Sequence, residues 1–372
     1  MSGDAAQAGV PIPRRLTPRE FCDGHPRTRV ADLRDGDEVV GIFIVHEARR
    51  AESRANKPYL RLVLGDATGT IDAFVWDEIE RWEAACVAGN VVGIRGRVGS
   101  FQDRLQLKVL SVDELEAEPS DFELLLPTSP RPRARMEAEL DARIASVRDR
   151  GLRKLLYRCV GRGTELGRAF RVHPAAQRNH HGYLAGLLEH SLSVAGSCEQ
   201  LVEHYREQGV ELDRDLLVTA ALLHDIGKVR ELKPPPLSGY TTEGRLLGHI
   251  VIGIQMVARE AETISDLPRD RLLLLQHLIA SHQGRPEWDS PRTPQMLEAL
   301  VLHYADDLDA KLNAARQLLS GVEEGDWSAY DRSFGRAFFR PESATPPEPA
   351  TEQEPRTPEL GFDLFAGEQG AS

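Results

Sequence analysis

The sequence predicts a multidomain β + α protein, an N-terminal five-stranded barrel followed by an all-helical bundle, and three observations carry that reading. Five short runs between residues 36 and 115 alternate or run apolar between turn residues, the pattern of strands in a small barrel. A Pro-rich stretch at 116–135, EAEPSDFELLLPTSPRPRAR, separates them from the remainder of the chain, because proline sustains neither a ladder nor a helix interior. Beyond it apolar residues recur at helical spacing, and LLVTAALLHDIGK at 216–228 is apolar nearly all round until its end. Such a helix belongs inside a helical core rather than on its surface.

Length and composition fit that division. A chain of 372 residues exceeds what one hydrophobic core usually supports, so two domains with tails are expected. Apolar and charged contents of 41% and 28% are those of an ordinary globular protein. A net charge of -12 and a pI near 5.5 give no global positive field for nucleic acid, although a local groove or bound cations can supply one. Cys22, Cys86, Cys159 and Cys198 form no C-x-x-C pair, which suits a reducing compartment and argues against disulfides or a thiolate zinc site. Residues 1–13 lack a signal-peptide pattern and no later run reaches membrane-spanning length, so a cytoplasmic protein without membrane contact is expected.

Taken in order, residues 1–35 read as an arm rich in Pro and Arg, in which Cys22 and His25 lie close but lack further ligands. Strands are expected at 38–46, 59–64, 69–76, 90–98 and 104–112, with a turn at 65–69 and a short plugging helix at 79–88. Five strands with a helix between the third and fourth make an OB-fold pattern over 36–115, a fold that commonly binds single-stranded nucleic acid on an aromatic and basic face. The best candidates are Arg49, Arg50, Arg54, Lys57 and Tyr59, at and around the connection between the first two strands. Phe43, Phe74, Trp76 and Phe101 are further aromatics, and Arg97, Arg104 and Lys108 further cations. Acidic neighbours such as Asp72, Asp77 and Glu80 dilute that charge.

After the linker, residues 136–320 form the helical domain. Leu140, Ile144, Val147, Leu152, Leu155 and Leu156 recur at helical spacing over 136–160, and Leu184, Leu187, Leu188, Val194, Ala195 and Cys198 trace a buried face that carries His190 near its edge. The helix at 216–228 ends in His224 and Asp225, with Gly227 expected in the left-handed conformation that stops a helix. His249 opens another helix, His282 ends one, and Asp306 lies within a last one at 294–319. An imidazole and a carboxylate at the mouth of a dry helix are costly unless paired, and a divalent metal is a natural partner. His190, His224, Asp225, His249, His282 and Asp306 offer four imidazoles and two carboxylates, an N/O set suited to two divalent ions with Asp225 bridging them. His277 and His303 stand apart as structural histidines, while His180, His181 and Lys228 are placed to orient ligands or neutralise phosphate.

The order H…HD…H…H…D resembles the HD-domain metal-dependent phosphohydrolases. The phrases NHHGYLAGLLEHSLSV, ALLHDIGKVREL, GHIVIG, SHQGRPEW and EALVLHYADDLDAKL, with KPYLRLVLGDATGTIDAFVW in the barrel, are similar to the bacterial YhaM family of 3′→5′ exoribonucleases. The resemblance spans about residues 36–319 and departs at Gln283, where the family usually carries a second histidine. It implies an OB-fold joined to an HD-domain bundle and a metal-dependent 3′→5′ exonuclease releasing nucleoside 5′-monophosphates. It further implies Mn2+ as the metal, with Mg2+, Co2+ or Fe2+ as alternatives, single-stranded RNA or DNA as partner, and a homo-oligomer. Asp225, Lys228 and His181 would be its catalytic set. Two other readings share part of this sequence: an HD phosphohydrolase acting on nucleotides or cyclic dinucleotides, and a non-catalytic OB-fold adaptor. Gly284-Arg285-Pro286 stands where the cyclic-dinucleotide branch carries Gly-Tyr-Pro.

Residues 321–340 are expected to extend the helical domain and 341–372 to form a disordered acidic tail, since PESATPPEPATEQ has almost nothing to bury. LGFDLF at 360–365 breaks that composition. It either folds back as a small patch or serves as a tethered ligand for a protein partner. Residues 361–365 resemble the sliding-clamp motif ending in Leu-Phe, with Gly361 where that motif prefers glutamine.

Overall fold

The computed structural model describes residues 15–22, 28–102, 104–118, 121–177 and 181–342; His25, His180 and the tail motif at 360–365 lie outside them. The five apolar runs become β1 (Glu38–Glu52), β2 (Pro58–Asp66), β3 (Gly69–Val75), β4 (Val91–Phe101) and β5 (Arg104–Glu114). They close into a barrel in the order β1-β2-β3-β5-β4, with β3 and β5 parallel and the other pairs antiparallel, the expected OB-fold. Successive side chains of a strand face opposite sides, so Leu60, Leu62, Leu64, Ala73, Val75, Ile94 and Leu107 fill one core while Arg61, Arg97 and Lys108 point out. β1 runs well beyond its expected end, so Arg49 and Arg50 stand on a strand paired with Arg61 and Leu60 rather than in a loop.

Arm and linker are both packed. The arm forms α1 (Pro18–Phe21), opened by a capping box in which Thr17 Oγ1 accepts from Glu20 N and Glu20 accepts from Thr17 N. The plugging helix is a single turn, α2 (Ile79–Trp82), and the linker contains another, α3 (Phe122–Leu125). Phe21 and Leu125 bury together with Ile42, Ile44, Val91 and Leu115 in a second small core on the barrel. Downstream, the Leu184 N–H donates to Pro127 O at 2.9 Å and the Ser129 N–H to Leu184 O at 3.0 Å. The linker is therefore fastened to the barrel through the apolar Phe122, Leu125 and Leu126 and to the bundle through the backbones of Pro127 and Ser129. The described residues up to 314 make one compact unit and those from 315 to 342 a second; in the latter, Trp327 bridges to Phe339 and Asp331 to Arg336.

The bundle consists of α4 (Arg133–Ser146), α5 (Arg150–Val160), α6 (Glu165–Val172), α7 (Gly186–Glu207), α8 (Arg214–Leu223), α9 (Lys228–Glu231), α10 (Thr242–Ala261), α11 (Arg269–Ser281) and α12 (Leu297–Leu319). No helix among the described residues is long and apolar enough to cross a membrane. The helical spacing over 136–160 divides into α4 and α5 because Asp149 accepts the Leu152 N–H and starts a new helix. At the centre, every residue of α8 from Leu216 to Leu223 is buried.

The end of α8 differs from the expectation in one respect. Gly227 has φ -61 and ψ -21, an ordinary helical conformation, and the chain passes straight into α9. Its glycine is required for space instead: a Cβ there would lie 1.9 Å from the His249 carbonyl oxygen and 2.7 Å from Gly253 N. Opposite it, α10 breaks at Gly248, with φ 69 and ψ 158, immediately before His249. A side chain other than hydrogen is disfavoured at that φ. The two glycines press the α8–α9 turn against α10 and so bring His224 and Asp225 beside His249.

Gly227→Ala should therefore lower the unfolding free energy by about 2–3 kcal/mol through overpacking, read from urea denaturation. Gly163→Ala, where a Cβ meets nothing within 4 Å, should stay within about 0.5 kcal/mol of the parent.

Candidate metal centre

Side chains from four helices and from the turn after α8 converge on Asp225. His190 comes from α7, His224 and Asp225 from the turn, His249 from α10 past its break, His282 from the end of α11 and Asp306 from α12. On one side, His190 Nε2 lies 3.5 Å and His224 Nε2 3.4 Å from Asp225 Oδ2, and Asp306 Oδ1 is 3.0 Å from His190 Nε2 and 3.6 Å from His224 Nε2. On the other, His249 Nε2 lies 3.4 Å and His282 Nε2 3.8 Å from Asp225 Oδ1. The sequence-predicted set is thus together in space, divided between the two oxygens of one carboxylate.

Each imidazole is aimed by its other nitrogen. His224 Nδ1 is 2.9 Å from Ala221 O and His282 Nδ1 2.8 Å from Ile279 O, each on its own helix. His190 Nδ1 is 2.7 Å from Asp309 Oδ2 and His249 Nδ1 3.3 Å from Glu231 Oε1. A carbonyl or carboxylate at Nδ1 keeps the proton there and leaves Nε2 as a lone-pair donor, the form that ligates a metal. Glu231 also accepts the His249 N–H at 3.0 Å, the donor freed by the break in α10.

The centre carries an excess of negative charge. Burial opposes ionisation of Asp225, yet Lys228, His224 and His249 hold its carboxyl well below the usual range. Burial also opposes ionisation of Asp306 and Asp309, and hydrogen bonds from His190 and His224, or from His181 and His190, hold both low. Among the described residues one half-buried ammonium, Lys228, faces these carboxylates, its Nζ 2.6 Å from Asp225 Oδ2. The imbalance is strong enough that, although burial works the other way, Asp225 and Asp306 raise His224 to about 10, whereas burial and the charge on His224 push His282 down to about 3. A divalent cation answers the same imbalance without the proton, because it needs the neutral imidazole. Asp225 Oδ1 is buried without a hydrogen-bond partner among the described residues, a costly state for a carboxylate oxygen and the one that a cation between it, His249 and His282 would relieve. The donor set of imidazole and carboxylate fits a divalent transition metal.

Other expected residues take different places. Buried His181, at φ 56, puts Nε2 3.1 Å from Asp309 and Nδ1 3.0 Å from Tyr183 Oη, so it braces the cluster from outside. His303 Nδ1 is bonded to the His282 carbonyl and His277 Nε2 accepts the Gln295 N–H. Sequence reasoning missed Asp309 as a hub. It meets His181, His190 and the Ser193 hydroxyl, and its signal was its spacing of three from Asp306 on one helix face.

On the barrel, Tyr59 stacks on Trp76 at 4.7 Å and lies 5.9 Å from Phe74. These rings, with Arg54, Arg97, Phe101 and Lys108, line a groove of about 640 Å³. Arg50 instead pairs with Glu80 and Glu83, and Lys57 with Asp77; Arg49 is exposed on β1. Phe43 is fully buried in the barrel core and offers no stacking face.

The chain has relatives that match both halves. A family model of the HD domain matches residues 187–311, and one of an OB-fold nucleic acid binding domain matches 44–115. The 3'-5' exoribonuclease YhaM of Bacillus licheniformis is 34% identical over 310 residues, covering 82% of this chain and 96% of the relative. Its counterpart in Shouchella clausii is 36% identical over 313 residues, covering 83% and 95%, and that of Bacillus subtilis 33% identical over 310 residues, covering 82% and 96%.

Because Asp309 orients His190 without reaching Asp225, Asp309→Ala should weaken Mn2+ binding by about 10- to 100-fold, measured by titration calorimetry on the folded protein. Asp309→Asn, which keeps an acceptor for Nδ1, should lose less. Unchanged affinity in both variants would remove Asp309 from the centre.

Proposed function

The chain belongs to the YhaM family of 3'-5' exoribonucleases and is a metal-dependent nuclease, and we propose that it hydrolyses single-stranded RNA from the 3′ end to nucleoside 5′-monophosphates, with single-stranded DNA as a second substrate. The observation that carries this reading is the convergence of four Nε2 atoms and the Asp306 carboxylate on the two oxygens of Asp225. In this reading His190, His224, Asp306 and Asp225 Oδ2 would hold one divalent ion, and His249, His282 and Asp225 Oδ1 a second, with Mn2+ foremost. Ions so held supply Lewis acidity at the phosphoryl group and a water that is nucleophilic near neutral pH.

The protein's own groups do the rest. Lys228, half-buried at the mouth of the cluster, keeps a positive charge where the scissile phosphate would lie, and fixes one oxygen of Asp225. Gln283 Nε2, 3.4 Å from His249 Nε2, puts an amide where the family usually has an imidazole. In hydrolysis the water oxygen bonds to phosphorus and the P–O3′ bond breaks. The upstream 3′-oxygen takes the proton, and the terminal nucleotide leaves with its 5′-phosphate. On the barrel, Tyr59 and Arg54, with Phe74, Trp76, Arg97 and Lys108 in the same groove, would stack bases and meet phosphates without regard to sequence. Arg49, Arg50 and Lys57 add charge at its edge; the exposed ion pairs of the last two are weak enough to yield to phosphate. A barrel that binds a strand is superfluous for a small-nucleotide enzyme, and a complete acid and imidazole set is superfluous for an adaptor.

Asp225→Ala should lower the rate on single-stranded RNA by at least about 1,000-fold while leaving the helical circular dichroism in place. With 5′-labelled RNA and Mn2+, the parent should shorten the strand stepwise and release 5′-monophosphates, and a chelator should stop it. Full activity in Asp225→Ala would end the metal-centre reading.

A further inference from the structure

Three cavities of the first unit share wall residues. The largest, about 860 Å³, is lined by Lys228, His249, Gln283 and Trp288 at one end and by Gln177 and Tyr240 elsewhere. It shares Lys228, Gln283 and Trp288 with a cavity of about 210 Å³ over His190, Asp225, His282 and Asp306. It also shares Ala176, Gln177 and Leu232 with a cleft of about 100 Å³ that His46 of β1 and Leu237 line. The cleft beside the barrel edge and the cavity over the Asp225 cluster thus each border the largest of the three. A volume near the upper end of the roughly 300–1,000 Å³ usual for ligand sites is more than a single phosphate needs.

Two large rings stand exposed in the wall of the largest cavity, Tyr240 at 40% and Trp288 at 42%. Trp288 is fixed where the trough meets the cluster, with the Arg285 guanidinium 5.0 Å and the Lys311 ammonium 5.7 Å from its ring centroid. Tyr240 closes a short hairpin through its bridge to Leu232 and the Lys233 N–H to Gly239 O bond of 2.9 Å. That hairpin leans on the barrel: Leu237 packs so closely on Gly89 that a Cβ there would lie 2.6 Å from Leu237 Cδ2. The barrel therefore sets the position of a ring in the wall of the bundle's cavity. Aromatic rings held at fixed places in an open, polar trough suit nucleobases, because stacking accepts any base. An exonuclease that must take each base in turn needs that tolerance.

We propose that this trough holds the nucleotides immediately upstream of the scissile phosphate, with Tyr240 as a stacking wall for one of those bases. The proposal rests on the exoribonuclease reading and adds to it the residue that grips the strand. The test is a double-mutant cycle on the Mn2+-loaded full chain. RNA oligonucleotides carry an abasic nucleotide at one of the first three positions upstream of the terminal phosphodiester, and kcat/KM is measured for the parent, Tyr240→Ala and Tyr240→Leu. Each change alone should cost on the order of tenfold. At one position, however, the abasic nucleotide should cost both variants less than about threefold, because the contact is already lost. Tyr240→Phe, which keeps the ring, should behave as the parent. Fully additive losses at all three positions, or a parent-like Tyr240→Ala, overturn the trough. A parent protein that leaves the 3′ end intact while the metal is bound overturns the exoribonuclease reading itself, and the trough with it.

Discussion

A single buried carboxylate, Asp225, governs the arrangement of the bundle around it. It sits at the end of the driest helix in the protein, 2% exposed, and a bare carboxylate in such a place would protonate or unfold its surroundings. What keeps it ionised is the ring of donors assembled about it, drawn from separate helices. Gly227 lets α10 approach to where His249 can reach, and the break at Gly248 turns that histidine inward. Glu231 and Asp309 then aim two of the rings, while helix carbonyls aim the other two. Lys228 neutralises only part of the charge, and a divalent cation would answer the remainder.

This also reconciles an acidic chain with a nucleic-acid substrate. The net charge of -12 repels polyanions at long range, but salt screens it within about 10 Å, and the local surfaces are different in kind. The barrel groove combines Arg54, Arg97 and Lys108 with stacked rings, and the cavity beside the Asp225 cluster has Lys228 in its wall. The linker, through its bonds to Leu184, and the Leu237 hairpin, through its contact with Gly89, join barrel to bundle.

Much of this was legible in the sequence, and the exceptions share a physical cause. The barrel was readable because period-two alternation reports burial directly, and α8 because a helix apolar all round has only one place to go. His224 and Asp225 drew attention because imidazole and carboxylate are costly at a helix end beside such a core, and the structure gathers His190, His249, His282 and Asp306 about them. Asp309 and Glu231 drew none, since a carboxylate in YADDLDAKL or KVREL reads as an ordinary solvated charge until the facing helix is known. Gly227 suggested a stop signal by analogy with helix ends, when its use is steric and depends on α10, some twenty residues away in sequence. Asp77 and Glu80 were legible as acidic neighbours, but their pairing, with Glu83, to Lys57 and Arg50 depends on how the barrel brings β1 and the turn before β2 to α2. The linker read as a spacer from its prolines, while Leu125 and Phe122 show the apolar residues between them to be the informative part.

The most direct measurement is anomalous diffraction at the manganese edge from crystals of the full chain grown with Mn2+. The account predicts two peaks, one on each side of Asp225, each at an ordinary metal–oxygen distance of roughly 2.0–2.6 Å from one of its oxygens, with His190, His224 and Asp306 about the first and His249 and His282 about the second. A fully occupied Mn2+ elsewhere on the molecule, with no peak against Asp225, would contradict it.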